Sequence, residues 1–185
     1  MRPRIPVILG STRQGRAGES VSQWLVDQLQ RGDKLDFQLI DLRDYPLPPA
    51  SGQYAPEAKS WAEAVGAGDR YLIVTPEYNH GYPAVLKNAL DHVYREWNRK
   101  PVAFVSYGAA GGVYRAAEQL RSVAVELQMV PIREELSIPF VWMTFDESGA
   151  IRQPGADKAV ERMVDELMWW AGALKQARSV DLVAA

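Results

Sequence analysis

Three stretches of the sequence combine residue types that do chemistry at a spacing able to hold a ligand. The first reads Gly10-Ser11-Thr12-Arg13-Gln14-Gly15-Arg16-Ala17-Gly18 and runs into a segment of helical period. Glycines permit tight turns, Ser11 and Thr12 offer hydroxyls, Arg13 and Arg16 offer guanidinium groups, and a helix start adds its positive dipole end. Together these suit a phosphate. Neither a GxGxxG pattern nor a Gly-Lys-Ser/Thr loop is present, which points to a monophosphate. A surface turn with solvated arginines has the same composition.

The second stretch is Thr75-Pro76-Glu77-Tyr78-Asn79-His80-Gly81-Tyr82-Pro83. Pro76 and Pro83 fix its backbone, while an aromatic ring, an amide and a carboxylate are presented between them. Such a rim could grip a flat heterocycle, with Tyr78 packed on a ring; taken alone it reads better as a turn that ends a strand. The third, Ser106-Tyr107-Gly108-Ala109-Ala110-Gly111-Gly112, is built of small residues that let backbone approach a ligand and leave amides free for its carbonyls. Loop flexibility without function is the alternative there.

The elements that must position these loops alternate between short apolar runs and helical segments, the pattern of a parallel sheet flanked by helices. Strands are expected at 5–9, 37–42, 71–75 and 102–107, with a last one inside 129–138. Pro6 cannot donate to a ladder, so regular pairing is expected from Val7, and Pro76 is expected to stop the third strand. A helix follows the first loop with Val21, Trp24, Leu25 and Leu29 on one face, and a short one covers 57–65 after a proline-rich surface loop at 45–56. Further helices are expected at 84–97, through Ala116, Leu120, Val123, Ala124 and Leu127, and from Val160 to Leu174. Five strands in this alternation suit a doubly wound α/β sheet of flavodoxin-like order 2-1-3-4-5, whose ligands lie at the carboxyl ends of the strands. All three unusual loops fall at that edge.

The chain has 185 residues, 47% of them apolar, which fits one domain over residues 1–185. A net charge of -2 gives no global pull toward nucleic acid or an anionic membrane. With no cysteine, disulfides, thiolate metal sites and cysteine nucleophiles are excluded. No stretch approaches the roughly 18 apolar residues of a membrane span, so a cytoplasmic protein with a small-molecule partner is expected. His80 and His92 do not make a metal site; His80 reads as a solvent-exposed loop residue and His92 as a packing one. Glu77 reads as a backbone or rim anchor rather than a general base. Trp97, Trp142, Trp169 and Trp170, together with Val141, Met143 and Phe145, present more aromatic surface than a small domain readily hides, and a homodimer or homotetramer is expected.

On these residues the chain resembles the NADPH-dependent FMN reductase family, which includes bacterial quinone, azo-dye and chromate reductases. The resemblance is carried by Gly10-Ser11-Thr12-Arg13, by Thr75-Pro76-Glu77-Tyr78-Asn79 with Leu86-Lys87-Asn88-Ala89-Leu90-Asp91, and by Gly112 with Arg115-Ala116 and Leu120-Arg121. It spans roughly residues 5–156 and closes on a turn, Phe145-Asp146-Glu147-Ser148-Gly149. It implies an FMN enzyme that passes electrons from NADPH or NADH to a small acceptor such as a quinone, free flavin, azo compound or metal oxyanion. A ping-pong cycle is implied, with the flavin carrying the chemistry and no side-chain acid or base assigned. An electron carrier of flavodoxin type and a flavin-binding scaffold are the alternatives; the near-balanced charge favours the reductase, because such carriers are usually strongly acidic.

The same resemblance implies that Ser11, Arg13 and the backbone through Gly18 hold the FMN phosphate. Pro76, Glu77, Tyr78 and Asn79, with Tyr107, Gly108, Gly111 and Gly112, would flank the isoalloxazine. Many members carry a serine and an asparagine where Arg16 and Gly18 stand, so the Arg16 guanidinium is expected to replace those side-chain donors. Gly81, Ala84 and His92 also depart from the common pattern. Arg13, Arg16 and Arg115 are candidates to meet a nucleotide 2'-phosphate.

Overall fold

The computed structural model describes residues 4–31, 36–50, 56, 58–109 and 113–180. Its strands are β1 (Arg4–Leu9), β2 (Asp36–Asp41), β3 (Tyr71–Pro76), β4 (Pro101–Tyr107), β5 (Val130–Pro131) and β6 (Leu136–Ile138). All pair in parallel in the order β2-β1-β3-β4-β5, and β6 joins β4 further along the edge that β5 begins. This is the 2-1-3-4-5 flavodoxin-like order expected. Every residue of β3 and β4 is buried, as continuous apolar strands must be when helices cover both faces.

Helices α1 (Gly18–Gln30) and α6 (Ala156–Ser179) cover one face. There Trp24, Leu25, Met163 and Leu167 pack on Ile5, Val7, Leu9, Leu72 and Val74. Helices α2 (Ala58–Gly66), α3 (Ala84–Asp91) and α4 (Tyr114–Glu126) cover the other. On that side Trp61, Trp97, Leu86 and Leu120 pack on Ile8, Ile73 and Phe104. Alternate strand residues therefore feed two separate apolar layers. A single-turn helix, α5 (Val141–Thr144), follows β6.

Four sequence expectations change. Pairing of β1 begins before Val7 on the β2 side, where Pro6 stands opposite Gln38, and at Val7 only on the β3 side. Pro76 ends β3 as a member of it, opposite Tyr107. The helix expected at 84–97 stops at Asp91, because the Trp97 indole N–H turns back to the Leu90 carbonyl, 3.1 Å away, and takes the acceptor a continuing turn would use. Trp97 is thus fully buried and contributes nothing to an exposed aromatic surface. The last strand is two short pieces, because the Glu166 carboxylate of α6 accepts the amides of Arg133 and Glu134 and lifts them out of the ladder.

Candidate functional site

The first loop leaves β1 through Gly10, whose amide donates to the Val74 carbonyl at 2.8 Å. A Cβ at Gly10 would stand 3.1 Å from that backbone oxygen and 2.9 Å from Leu86, so only glycine passes here without displacement. Ser11 is buried, and its hydroxyl lies 3.1 Å from the Tyr78 hydroxyl, which joins the first loop to the second. Arg13 is exposed and carries its guanidinium 6.0 Å from the Tyr78 ring centre. Gly15 takes a left-handed φ of 65°. Helix α1 then begins at Gly18 with Ala17 as its N-cap, which supplies no side-chain acceptor to the first-turn amides.

Arg16 is turned away from solvent. Its side chain is 1% exposed, and its guanidinium donates to the Ser11 carbonyl and to both oxygens of Asp41, one of them at 2.9 Å. Burial disfavours charge on both partners, yet the hydrogen bonds outweigh it, holding the Asp41 carboxyl below its ordinary value and the Arg16 guanidinium above its own. Asp41 also accepts the Arg43 amide at 2.9 Å. The Arg43 guanidinium reaches the carbonyls of Thr12 and Arg13 and the Glu19 carboxylate. Sequence reasoning missed Asp41, Arg43 and Glu19. Asp41 was findable, since it is the last residue of the strand that the expected order sets beside β1.

The second loop continues β3 with a bond from the Glu77 amide to the Tyr107 carbonyl at 2.8 Å, then folds into a tight turn where Tyr78 and Gly81 exchange backbone bonds. Asn79 and His80 take left-handed φ values of 49° and 69°. Glu77 is the anchor expected: its carboxylate, 6% exposed, accepts the backbone amide of Arg115 at 3.1 Å and the Arg115 guanidinium at 2.6 Å. It thereby caps the start of α4 from a different loop. Gln119 of α4 donates to the His80 carbonyl, and His92 bonds the Pro48 carbonyl through Nε2, alongside Asn88.

At the third loop the backbone of Gly108 is not free for a ligand. Its amide donates to the Ile138 carbonyl and its carbonyl accepts the Val141 amide, because β6 and α5 fold back over it. Tyr107 turns its ring away from that loop, under the first one. Its hydroxyl is buried and sits against the backbone of Gly18; burial raises the phenol's pKa. A Cβ at position 18 would collide with it and lie 2.8 Å from Leu9. Gly111 and Gly112 lie outside the described residues. The structure thus brings Ser11, Arg13, Tyr78 and the open start of α1 together, and turns Arg16, Tyr107 and Gly108 to internal contacts.

The sequence matches the model of NADPH-dependent FMN reductases over residues 3–143. The chain belongs to that family. It is 38% identical over 149 residues to an NAD(P)H-dependent FMN reductase of Schizosaccharomyces pombe, covering 74% of each chain. It is 29% identical over 180 residues to a 2-hydroxy-1,4-benzoquinone reductase of a Burkholderia species, covering 92% of this chain and 97% of the relative. Its fold is similar to that of an NAD(P)H:(acceptor) oxidoreductase from Paracoccus denitrificans, with a TM-score of 0.74 at 21% identity, covering 92% of this chain and 98% of that one. As a family member the protein is a flavin-dependent oxidoreductase with FMN as cofactor and NAD(P)H as electron donor. The donor set fits such a cofactor: a hydroxyl, an exposed guanidinium and the start of a helix without a side-chain cap for its phosphate, beside a tyrosine ring for its flat part. Among the described residues, no helix is long and apolar enough to cross a membrane.

Proposed function

We propose that the protein takes two electrons from NAD(P)H and delivers them to a small acceptor of the quinone class, with donor and acceptor occupying the same face of the bound FMN in turn. The observation that carries this reading is the joining of the first and second loops through Ser11 and Tyr78 at the open start of α1. When bound there, FMN supplies the hydride chemistry, and the protein binds, orients and shields it. Ser11, Arg13 and the amides leading into α1 would hold the phosphate. Pro76, Glu77, Tyr78 and Asn79 would frame the ring, with Glu77 fixing their position through α4 rather than acting as a base. The quinone class is supported by the Burkholderia relative, whose own name gives such a substrate.

Anaerobic rapid mixing of the FMN-loaded protein with NADPH, and separately with NADH, tests the first half-reaction. Bleaching near 450 nm within one catalytic turnover is expected. Parallel lines in a double-reciprocal plot against a benzoquinone are expected from the alternating use of one face, and intersecting lines would overturn it.

Self-association is also proposed. Trp142, Met143 and Trp169 are 65%, 67% and 66% exposed, apolar surface that a second copy would cover. Light scattering at micromolar concentration is expected to give the mass of two or four chains.

A further inference from the structure

We infer that Arg16 and Arg43, anchored by Asp41 and Glu19, are positioning residues that aim the backbone amides of the first loop at the cofactor phosphate. The inference rests on the reading of that loop as the phosphate site. Three consecutive carbonyls are held by cations on one side of the loop. The Ser11 carbonyl accepts from Arg16, the Thr12 carbonyl from Arg43 at 3.4 Å and the Arg13 carbonyl from Arg43 at 2.6 Å. In a planar trans peptide the carbonyl of one residue and the amide of the next point in opposite directions. Pinning those three carbonyls therefore turns the amides of Thr12, Arg13 and Gln14 to the other side, where the Arg13 amide meets the Ser11 hydroxyl at 3.4 Å and successive N–H groups line a concavity suited to an anion.

Both cations are paired with carboxylates. Arg16 is shielded from solvent, paired with Asp41, and has Nε 3.4 Å from Glu19; Arg43 shares Glu19 at 2.6 Å. Asp41 in turn accepts from Arg16 and from the Arg43 amide, so one carboxylate sets both cations. This chain has placed a buried brace at Arg16 and, at position 18, a glycine packed against the Tyr107 hydroxyl and Leu9. The phosphate is left to Ser11, Arg13 and main-chain amides.

The test measures dissociation constants of the purified full-length chain for FMN and for riboflavin, which lacks the phosphate, by quenching of flavin fluorescence. Wild-type protein is expected to bind FMN more tightly than riboflavin; equal affinities would sink the reading of the loop itself and leave the brace without an object. Arg16→Gln and Asp41→Asn are each expected to weaken FMN by about tenfold, the scale of one charge-assisted hydrogen bond, with riboflavin unchanged. The double variant is expected to be no weaker than the weaker single one, because both remove the same brace. Unchanged or tighter FMN binding in Asp41→Asn, with loss in Arg16→Gln, would mean that Arg16 touches the phosphate itself and would overturn the inference. Equal loss of FMN and riboflavin would overturn it too, as general disruption. Arg43→Ala, at a partly exposed site, gives an independent third variant with the same expected split.

Discussion

The first and second loops of the carboxyl edge are tied down by ion pairs of opposite sense. At the first the cation is buried and the carboxylate accessible, with Arg16 at 1% and Asp41 at 24% exposure; at the second Glu77 is at 6% and Arg115 at 46%. A buried guanidinium binds carbonyls and so turns amides outward, whereas a buried carboxylate binds amides and removes them from use. The consequence falls on the two helices. The start of α1 has no side-chain cap, while the Arg115 amide in the first turn of α4 is occupied by Glu77. Two helix starts lie at one sheet edge, and on the proposed reading the uncapped one is the start that meets the phosphate.

The sharpest way to break this comparison is to put a side chain at Gly18. Gly18→Ala drives a methyl against the Tyr107 hydroxyl and Leu9, a strain of about 1–3 kcal/mol in a packed site. FMN affinity is expected to fall by about tenfold or more as α1 shifts. Tyr107→Phe in the same chain removes the nearest atom struck and is expected to restore part of the loss, the Leu9 contact remaining. Absence of any rescue, measured by the same fluorescence titration, would show that the phenol is not what excludes a side chain at position 18.

A smaller effect is expected at the second loop. Glu77→Ala removes the cap on α4 and the tie to Arg115, and the apoprotein is expected to lose about 1–2 kcal/mol, the worth of an N-cap. FMN and riboflavin should weaken by the same factor, since this loop is proposed to meet the ring and not the phosphate. A loss confined to FMN would erase the contrast between the loops.

Much of this arrangement was legible in the sequence because burial writes itself into strands. The wholly apolar runs of β3 and β4 and the alternation with helices gave the sheet order, and Ser11, Glu77 and Tyr78 could be placed at its edge. What escaped depends on contacts between segments far apart in the chain. Glu166 splitting the last strand and Trp97 ending α3 are side-chain captures of backbone groups, which periodicity does not register. Arg16 looked like a phosphate ligand because an arginine in a loop is a free cation until a partner is known. Asp41 lies 25 residues on, at the end of the neighbouring strand. Tyr107 was read with the third loop because of its neighbours, while the pleat sends its ring to the α1 face.

The brace also carries a pH signature. Asp41 has its folded-state value lowered, so its contribution to stability is complete above the ordinary carboxylate value of about 3.9 and is lost as pH falls through the lowered one. The melting temperature of Asp41→Asn is expected to lie below that of the wild type by a constant margin from pH 7 to about 5. That margin should narrow as both approach pH 3. A margin that widens on acidification would mean that the carboxyl is protonated in the folded protein at neutral pH.

The least perturbing change expected is at His80, and it asks whether the second loop contributes side chains or only backbone. The imidazole is exposed, and no partner for it is found among the described residues; the residue's hydrogen bond is made by its carbonyl, which Gln119 holds at 2.9 Å. Its left-handed φ costs a non-glycine residue about 1–2 kcal/mol, and glycine would relieve that at about 0.5–1 kcal/mol of added chain entropy. His80→Gly should therefore leave stability nearly unchanged or slightly raised, with kcat and acceptor KM as in the wild type. A several-fold rise in KM for a quinone, with the NADPH half-reaction untouched, would place the imidazole against the acceptor. The second loop would then recognise substrate through a side chain as well as frame the cofactor.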